Sequence, residues 1–253
     1  RCIMPVRYAS PMMERGNNMR TCTVIAVLLT GLLTTMGGAT VNLVEDGRSS
    51  YCIILAKDAS TSEHYAASEL KRFITEMSGA TIPYSPDGPT PPAKAILLGD
   101  SQALRSLGVE IDWKDLGDEG FVIKTVGDRL IIAGGKLRGT LYGVYWFLDL
   151  LGCRWYGKDA STIPSRRTIT LGDIDIKEKP AFEYREVYIR EAMNPDWASR
   201  NLTNGAHAQL DAKRGGCVAY YPFVHTFGAI LPLDAPGLGI VIDEAKLARF
   251  RCA

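Results

Sequence analysis

The chain has 253 residues, a formal net charge of +1, 46% hydrophobic and 23% charged residues. That length suits one large domain or two modest ones, and the composition is ordinary for a globular protein. A balanced charge gives no basis for electrostatic capture of nucleic acid, and Lys71-Arg72 and Arg166-Arg167 read as solvated faces rather than a basic patch.

The first 39 residues read as targeting sequence. The chain begins at Arg1, and Met19 is the natural candidate for the start. Arg20, the apolar run from Val24 to Leu33 and the small residues Gly37-Gly38-Ala39 then make a secretory signal peptide. The run is shorter than the roughly 20 residues that span a bilayer, so no stable membrane anchor is expected and a retained anchor is the alternative. Residues 1–18 show no periodicity and are expected to be read-through sequence. The expected location is secreted or periplasmic.

The six cysteines are Cys2, Cys22, Cys52, Cys153, Cys217 and Cys252, with no C-x-x-C pair. A zinc ribbon or thioredoxin-type site therefore has no support, and the four downstream of the signal are expected to be buried free thiols. No metal, nucleotide, haem or other cofactor is indicated.

From residue 40 onward the pattern alternates. Val41–Val44 and Tyr51–Leu55 read as short strands separated by the turn Glu45-Asp46-Gly47. Ser62 is the expected N-cap of a helix whose apolar face is Tyr65, Ala66, Leu70, Phe73, Ile74 and Met77, closed by Gly79. The five prolines from Pro83 to Pro92 make a surface loop. Ala95–Leu98 is a compact strand, followed by a short helix around 101–107. Residues 120–124 and 129–133 form a hairpin around Val126-Gly127-Asp128. Leu137, Leu141, Val144, Tyr145, Leu148 and Leu151 fall at helical spacing, and Gly152 closes that helix. Its aromatic residues, Tyr142, Tyr145, Trp146 and Phe147, read as core. Arg154-Trp155-Tyr156 leads to a last strand at 168–171. The fold class is α/β: a mixed sheet with helices packed on one face.

Several separated blocks carry a family resemblance. They are Tyr65–Leu70, Met77–Pro83, Ile96–Gly99, Asp118–Ile123, Gly134–Tyr145 and Leu151–Tyr156. In this order they resemble the non-catalytic N-terminal accessory domain of bacterial α-glucuronidases, β-hexosaminidases and related secreted glycoside hydrolases, over roughly residues 42–178. The resemblance implies residues 40–178 as an accessory domain. It also implies 180–253 as the incomplete start of a catalytic-type (β/α)8 barrel, because only about two βα units fit where a whole barrel takes about 250 residues. Tyr184–Arg190 alternates and reads as the first barrel strand, and Pro195 and Trp197 open its first helix. Beyond Pro232 the resemblance fades, which suits a truncated or frame-shifted record.

The resemblance implies hydrolysis of polysaccharide by the parent protein, of the α-glucuronidase or hexosaminidase kind, with this chain itself inactive. The alternative is a non-catalytic carbohydrate-binding or structural module. The paired carboxylates of glycosidases are not assignable here. Glu186 and Glu191 read as salt-bridge partners of Arg185 or Arg190. Arg185, Trp197, Asn201, Asn204 and His225 are the expected sugar-binding residues. His225 belongs with the aromatic loop Tyr220-Tyr221-Pro222-Phe223, and a satisfied structural histidine is its plainer reading; His207 could line the same mouth. The expected partner is a carbohydrate.

Overall fold

The computed structural model describes residues 40–218, and these lie in one compact unit. In chain order they form β1 (Val41–Val44), β2 (Cys52–Leu55), α1 (Thr61–Ser78), β3 (Tyr84–Ser85), β4 (Ala95–Leu98), α2 (Gln102–Ser106) and α3 (Trp113–Leu116). Then come β5 (Phe121–Val126), β6 (Arg129–Gly134), α4 (Gly139–Leu150), β7 (Arg154–Gly157), β8 (Ala160–Thr162), β9 (Ile169–Leu171), β10 (Asp175–Glu178) and α5 (Pro195–Arg200). Single 3-10 turns lie at Glu191–Met193, Ala206–Ala208 and Ala212–Arg214.

The main sheet runs β10-β5-β6-β4-β2-β3. Strands β3, β2, β4 and β6 are mutually parallel, and the β5/β6 hairpin and β10 are antiparallel. The mixed α/β class is as expected, and the central strand β4 is buried at every residue, as a strand covered on both faces must be. The proline-rich segment contributes only the two-residue edge strand β3, where a missing N–H costs no ladder bond. The strands at 41–44 and 169–171 pair with each other in a separate two-stranded ribbon.

The two long helices share one face. Leu70, Phe73, Ile74 and Met77 of α1 and Leu141, Tyr142, Tyr145 and Leu148 of α4 pack on Ile53, Ile96, Ile123 and Ile132. The opposite face is partly covered too: Leu104 of α2 and Leu116 of α3 pack on Ile54, Leu97, Val122 and Ile131. Successive residues such as Ile53 and Ile54 divide between the two faces because strand side chains alternate.

Local chemistry sets the helix ends. The N-cap of α1 is Ser60, not Ser62: Ser60 Oγ accepts from the Glu63 N–H (3.2 Å) while the Ser60 N–H donates to Glu63 Oε2 (2.7 Å). This reciprocal capping box outranks Ser62, which is buried further along the first turn. Gly79 closes the helix at φ +80°, its N–H donating to Thr75 O at 2.8 Å.

The exit of β6 forms a tight glycine crossing. A Cβ on Gly135 would lie 2.1 Å from Gly117 O, and one on Gly139 would lie 2.3 Å from Gly120 O. Only glycine permits that approach. The crossing presses the loop 117–120 against the start of α4, and Asp118 O accepts from the Arg138 (3.1 Å) and Gly139 (3.0 Å) N–H groups.

Past residue 180 one expectation fails. Residues 184–190 form no strand. Their backbone is engaged elsewhere: the Arg185 N–H donates to Asn204 Oδ1 (2.8 Å), and Arg185 O accepts from the Asn204 N–H (3.0 Å). The alternation that read as a barrel strand is an extended segment laid against the loop before Gly205. The expected helix is present as α5, with Pro195 at its start and Asn194 Oδ1 capping the Asp196 and Trp197 N–H groups (3.1 and 3.0 Å). The signal segment, His225 and everything past Val218 lie outside the described residues. Of the described cysteines, Cys153 is buried and Cys52 partly so, but Cys217 is exposed, contrary to expectation.

Candidate functional site

The glycine crossing aims Glu119 at the seam between the layered body and the segment from Glu183 to Val218. Its carboxylate is almost fully enclosed and accepts from Arg138 Nε (2.6 Å), Asn204 Nδ2 (2.7 Å) and Arg185 Nη1 (2.7 Å). Burial alone would raise its carboxyl, but the hydrogen bonds from Arg185, Asn204 and Arg138 outweigh that and hold it below the ordinary value. An ionised carboxylate with its lone pairs occupied is an anchor, not a proton donor.

Each partner extends the lock. Arg138 Nη1 donates to Gly215 O (2.6 Å) and Gly216 O (3.0 Å). Arg185 Nε donates to Leu202 O (2.9 Å), and its guanidinium carbon lies 5.7 Å from the Tyr142 ring centre. Leu202 sits at φ +57°, a left-handed conformation costly for a bulky side chain, at the residue whose carbonyl accepts from Arg185 Nε. Asn204, fully buried, also donates to Glu183 O at 2.7 Å. Tyr142 donates to Thr203 O (3.2 Å), and burial pushes its hydroxyl far above the usual range.

A second lock joins α1 to α5. Glu69 accepts from Arg72 (2.9 Å), Arg200 (3.3 Å) and the Tyr145 hydroxyl (2.9 Å). Asp196 binds Arg214 through a close pair and accepts from the Tyr65 hydroxyl at 3.4 Å. Burial would raise the Asp196 carboxyl, and Arg214 outweighs it.

Beside Glu119 lies a cleft of about 410 Å³ whose walls include Asp118, Arg138, Lys179, Phe182 and Glu183. Among the described residues no group of three or more His, Cys, Asp or Glu side chains could hold a metal ion. No helix among them is long and apolar enough to cross a membrane.

The expected sugar-binding residues separate in space. Arg185 and Asn204 converge on Glu119. Trp197 and Asn201 belong to α5 and its end, where Asn201 Nδ2 donates to Trp197 O (2.9 Å) and Trp155 O (3.3 Å). Glu186 is paired with His207 and Tyr184, not with Arg185 or Arg190. Sequence reasoning missed Glu119, Arg138 and Glu69 as hubs. No local signal marks them: Glu119 stands beside a second acid, Asp118, and Arg138 two residues from Lys136.

A six-stranded mixed sheet backed by two long helices, and tied by charge to the segment after residue 180, is a layered α/β module. The family pattern described as glycosyl hydrolase family 67 N-terminus matches residues 16–147, just over half of the chain, and the chain belongs to that family. No curated protein matches. Solved structures similar to part of it include a family GH115 4-O-methyl-α-glucuronidase with specificity for decorated arabinogalactans. It is 22% identical with a TM-score of 0.43, over 57% of this chain and 19% of that one. Another is a GH20 exo-β-N-acetylglucosaminidase from Vibrio harveyi in complex with N-acetylglucosamine, 14% identical with a TM-score of 0.37, over 58% of this chain and 18% of that one. A third is a GH138 enzyme targeting pectin rhamnogalacturonan II, 18% identical with a TM-score of 0.31, over 53% and 12%. The chain spans less than a fifth of the length of each.

Proposed function

We propose that the chain is the N-terminal part of a secreted or periplasmic glycoside hydrolase acting on polysaccharide, α-glucuronidase-like or hexosaminidase-like. Residues 1–39 carry the export signal, 40–178 are the non-catalytic module, and 180 onward begins the catalytic-type domain. The family match over residues 16–147 supports the glycoside-hydrolase part of this reading, and the apolar run from Val24 to Leu33 is what suggests export.

The carboxylates suit a supporting rather than a catalytic role for the module. A glycosidase acid needs a raised pKa. Glu119 and Asp196 are both held low by their arginines, whereas burial pushes the Asp149 carboxyl up. Asp149 lies half-exposed on α4, bridged to Arg154 at 2.7 Å. The role of the module lies in its two locks, which hold the start of the next domain in one geometry. In this proposal Trp197, Asn201 and His225 contribute to a sugar pocket directly, while Arg185 and the buried Asn204 contribute from behind it, held on Glu119.

Two assays test it. Bacterial expression from Met19 should give an exported product whose N-terminal sequence starts near Thr40; a cytoplasmic product retaining residues 19–39 contradicts export. The 253-residue chain should release no sugar from glucuronoxylan or chitin, whereas the product of the whole gene should release it from one of them. Inactivity of the whole-gene product on every polysaccharide tried would favour the binding or structural reading.

A further inference from the structure

The cleft beside Glu119 has walls that the ionic network itself holds in place. On one side, the Phe182 carbonyl accepts from Arg185 Nη1 (2.6 Å) and the Glu183 carbonyl accepts from Asn204 Nδ2 (2.7 Å). On the other, the Asp118 carbonyl accepts from the Arg138 (3.1 Å) and Gly139 (3.0 Å) N–H groups. Arg185, Asn204 and Arg138 are the three partners of the Glu119 carboxylate, so both walls have their backbone tied to one anchor. Asp118, Phe182 and Glu183 line the cleft from that fixed backbone. A wall already ordered need not be ordered when a ligand arrives, which lowers the cost of binding.

Phe182, at 73% exposure, is the most exposed large apolar side chain among the described residues. A solitary exposed phenyl group is ordinary on a surface, but this one borders a cavity of about 410 Å³. That volume falls within the roughly 300–1,000 Å³ of small-ligand sites. Of the charged groups in the wall, Glu119 and Arg138 pair with each other at 2.6 Å, and Lys179 lies 3.6 Å from Asp115. The Asp118 and Glu183 carboxylates are exposed and have no ion pair or side-chain hydrogen bond with any described residue. An ionised carboxylate accepts and cannot donate, so the rim calls for hydroxyl or amide donors. An apolar platform ringed by acceptors suits a pyranose ring, apolar on its C–H face and hydroxylated around its rim. Two carboxylates also oppose a third acid, so the ring that fits is neutral rather than a uronate.

We infer that the cleft is a carbohydrate subsite for a neutral pyranose ring, its C–H face on the Phe182 ring and its hydroxyls on the Asp118 and Glu183 carboxylates. The inference rests on the carbohydrate reading above and adds a place at the seam to it.

The test is calorimetric titration of the 253-residue chain with a xylo-oligosaccharide, a chito-oligosaccharide and a glucuronoxylo-oligosaccharide, alongside Phe182→Ala and Glu183→Ala. Both side chains are exposed, and both substitutions leave the carbonyl bonds to Arg185 and Asn204 in place, so both variants should keep the wild-type circular dichroism spectrum. The wild type should bind one of the two neutral sugars, and each alanine variant should weaken that binding at least tenfold. Phe182→Trp should retain it and Phe182→Leu should not, a split that follows from stacking and not from loss of apolar bulk. Wild-type affinity in both alanine variants would overturn the subsite while leaving sugar binding elsewhere, and with it the proposed function, intact. Failure of the wild type to bind either neutral sugar, or tighter binding of the glucuronoxylo- than of the xylo-oligosaccharide, would also overturn it; the hydrolysis assay on the whole-gene product would then decide the broader reading separately. Loss of a protein contact or of self-association in Phe182→Ala, without any change in sugar affinity, would overturn it in favour of a protein partner.

Discussion

In the layered body, α1 and α4 are held to the sheet by apolar side chains running from Ile53 to Leu148. The segment from Glu183 to Val218 has only Ala198, Ala208 and Leu210 as a core cluster of its own. It is fixed to the body instead by the enclosed Glu119 and Glu69 through guanidinium groups and an amide, and by the Tyr65 hydroxyl bonded to Asp196. Apolar burial is non-directional and indifferent to pH and salt in their ordinary ranges. Enclosed ion pairs are directional, and removing one partner leaves an uncompensated charge. The body should therefore fail as a whole, and the seam should fail locally.

The largest effect should come from Phe73→Ala in the body. Phe73 is buried between the helices and meets the Trp155 ring edge-on at 5.3 Å. The loss should be about 3–5 kcal/mol, with a single cooperative transition at a lower urea midpoint. A change confined to residues 183–218 would break the contrast.

Glu119→Ala should cost about 3 kcal/mol, at the low end for a broken buried ion pair because the seam can open to water. Limited proteolysis should then cut within 183–218 while a core of about the size of residues 40–178 survives. Global unfolding would show that the seam is part of the body's own cooperative unit.

Acid should separate the two regions in the wild-type chain. Glu119 and Asp196 have depressed folded-state pKa values. Their stabilisation is fully present above the unfolded value of about 4 and is lost as pH falls through the folded one. Fluorescence of Trp197 in the seam should therefore change at a higher pH than the far-ultraviolet signal of the body, and coincident transitions would contradict this. The smallest effect should be Asn194→Ala, which removes the cap of α5 and should cost about 1 kcal/mol, read from hydrogen exchange of the Asp196 and Trp197 amides.

The body was largely legible because its information is periodic. The 3.6-residue spacing in α1 and α4, the compact run at Ala95–Leu98 and the Gly-Asp turn of the β5/β6 hairpin all name their own elements. The short α3, the ribbon β7/β8 and the edge strand β10 were missed, since each is brief and gains its partners from distant residues. Tyr184–Arg190 was misread for a related reason. Alternation marks an extended chain, but only a neighbouring backbone makes it a strand, and here Asn204 takes that place. The seam was barely legible: Glu119 meets Arg185 and Asn204 across 66 and 85 residues. Nothing local in Asp118-Glu119-Gly120 announces such partners, and Leu202 at positive φ has no sequence signature at all.

The most direct test of the lock at the seam is hydrogen exchange with mass spectrometry at neutral pH, comparing wild type with Glu119→Ala. Peptides carrying the Arg185, Asn204 and Val218 amides, all hydrogen-bonded in the intact seam, should lose protection. Peptides from β5 and β6 should exchange as in wild type. Unchanged protection at all three amides, or equal loss in β5 and β6, would contradict the account of Glu119 as the local anchor between the module and the segment from Glu183 to Val218.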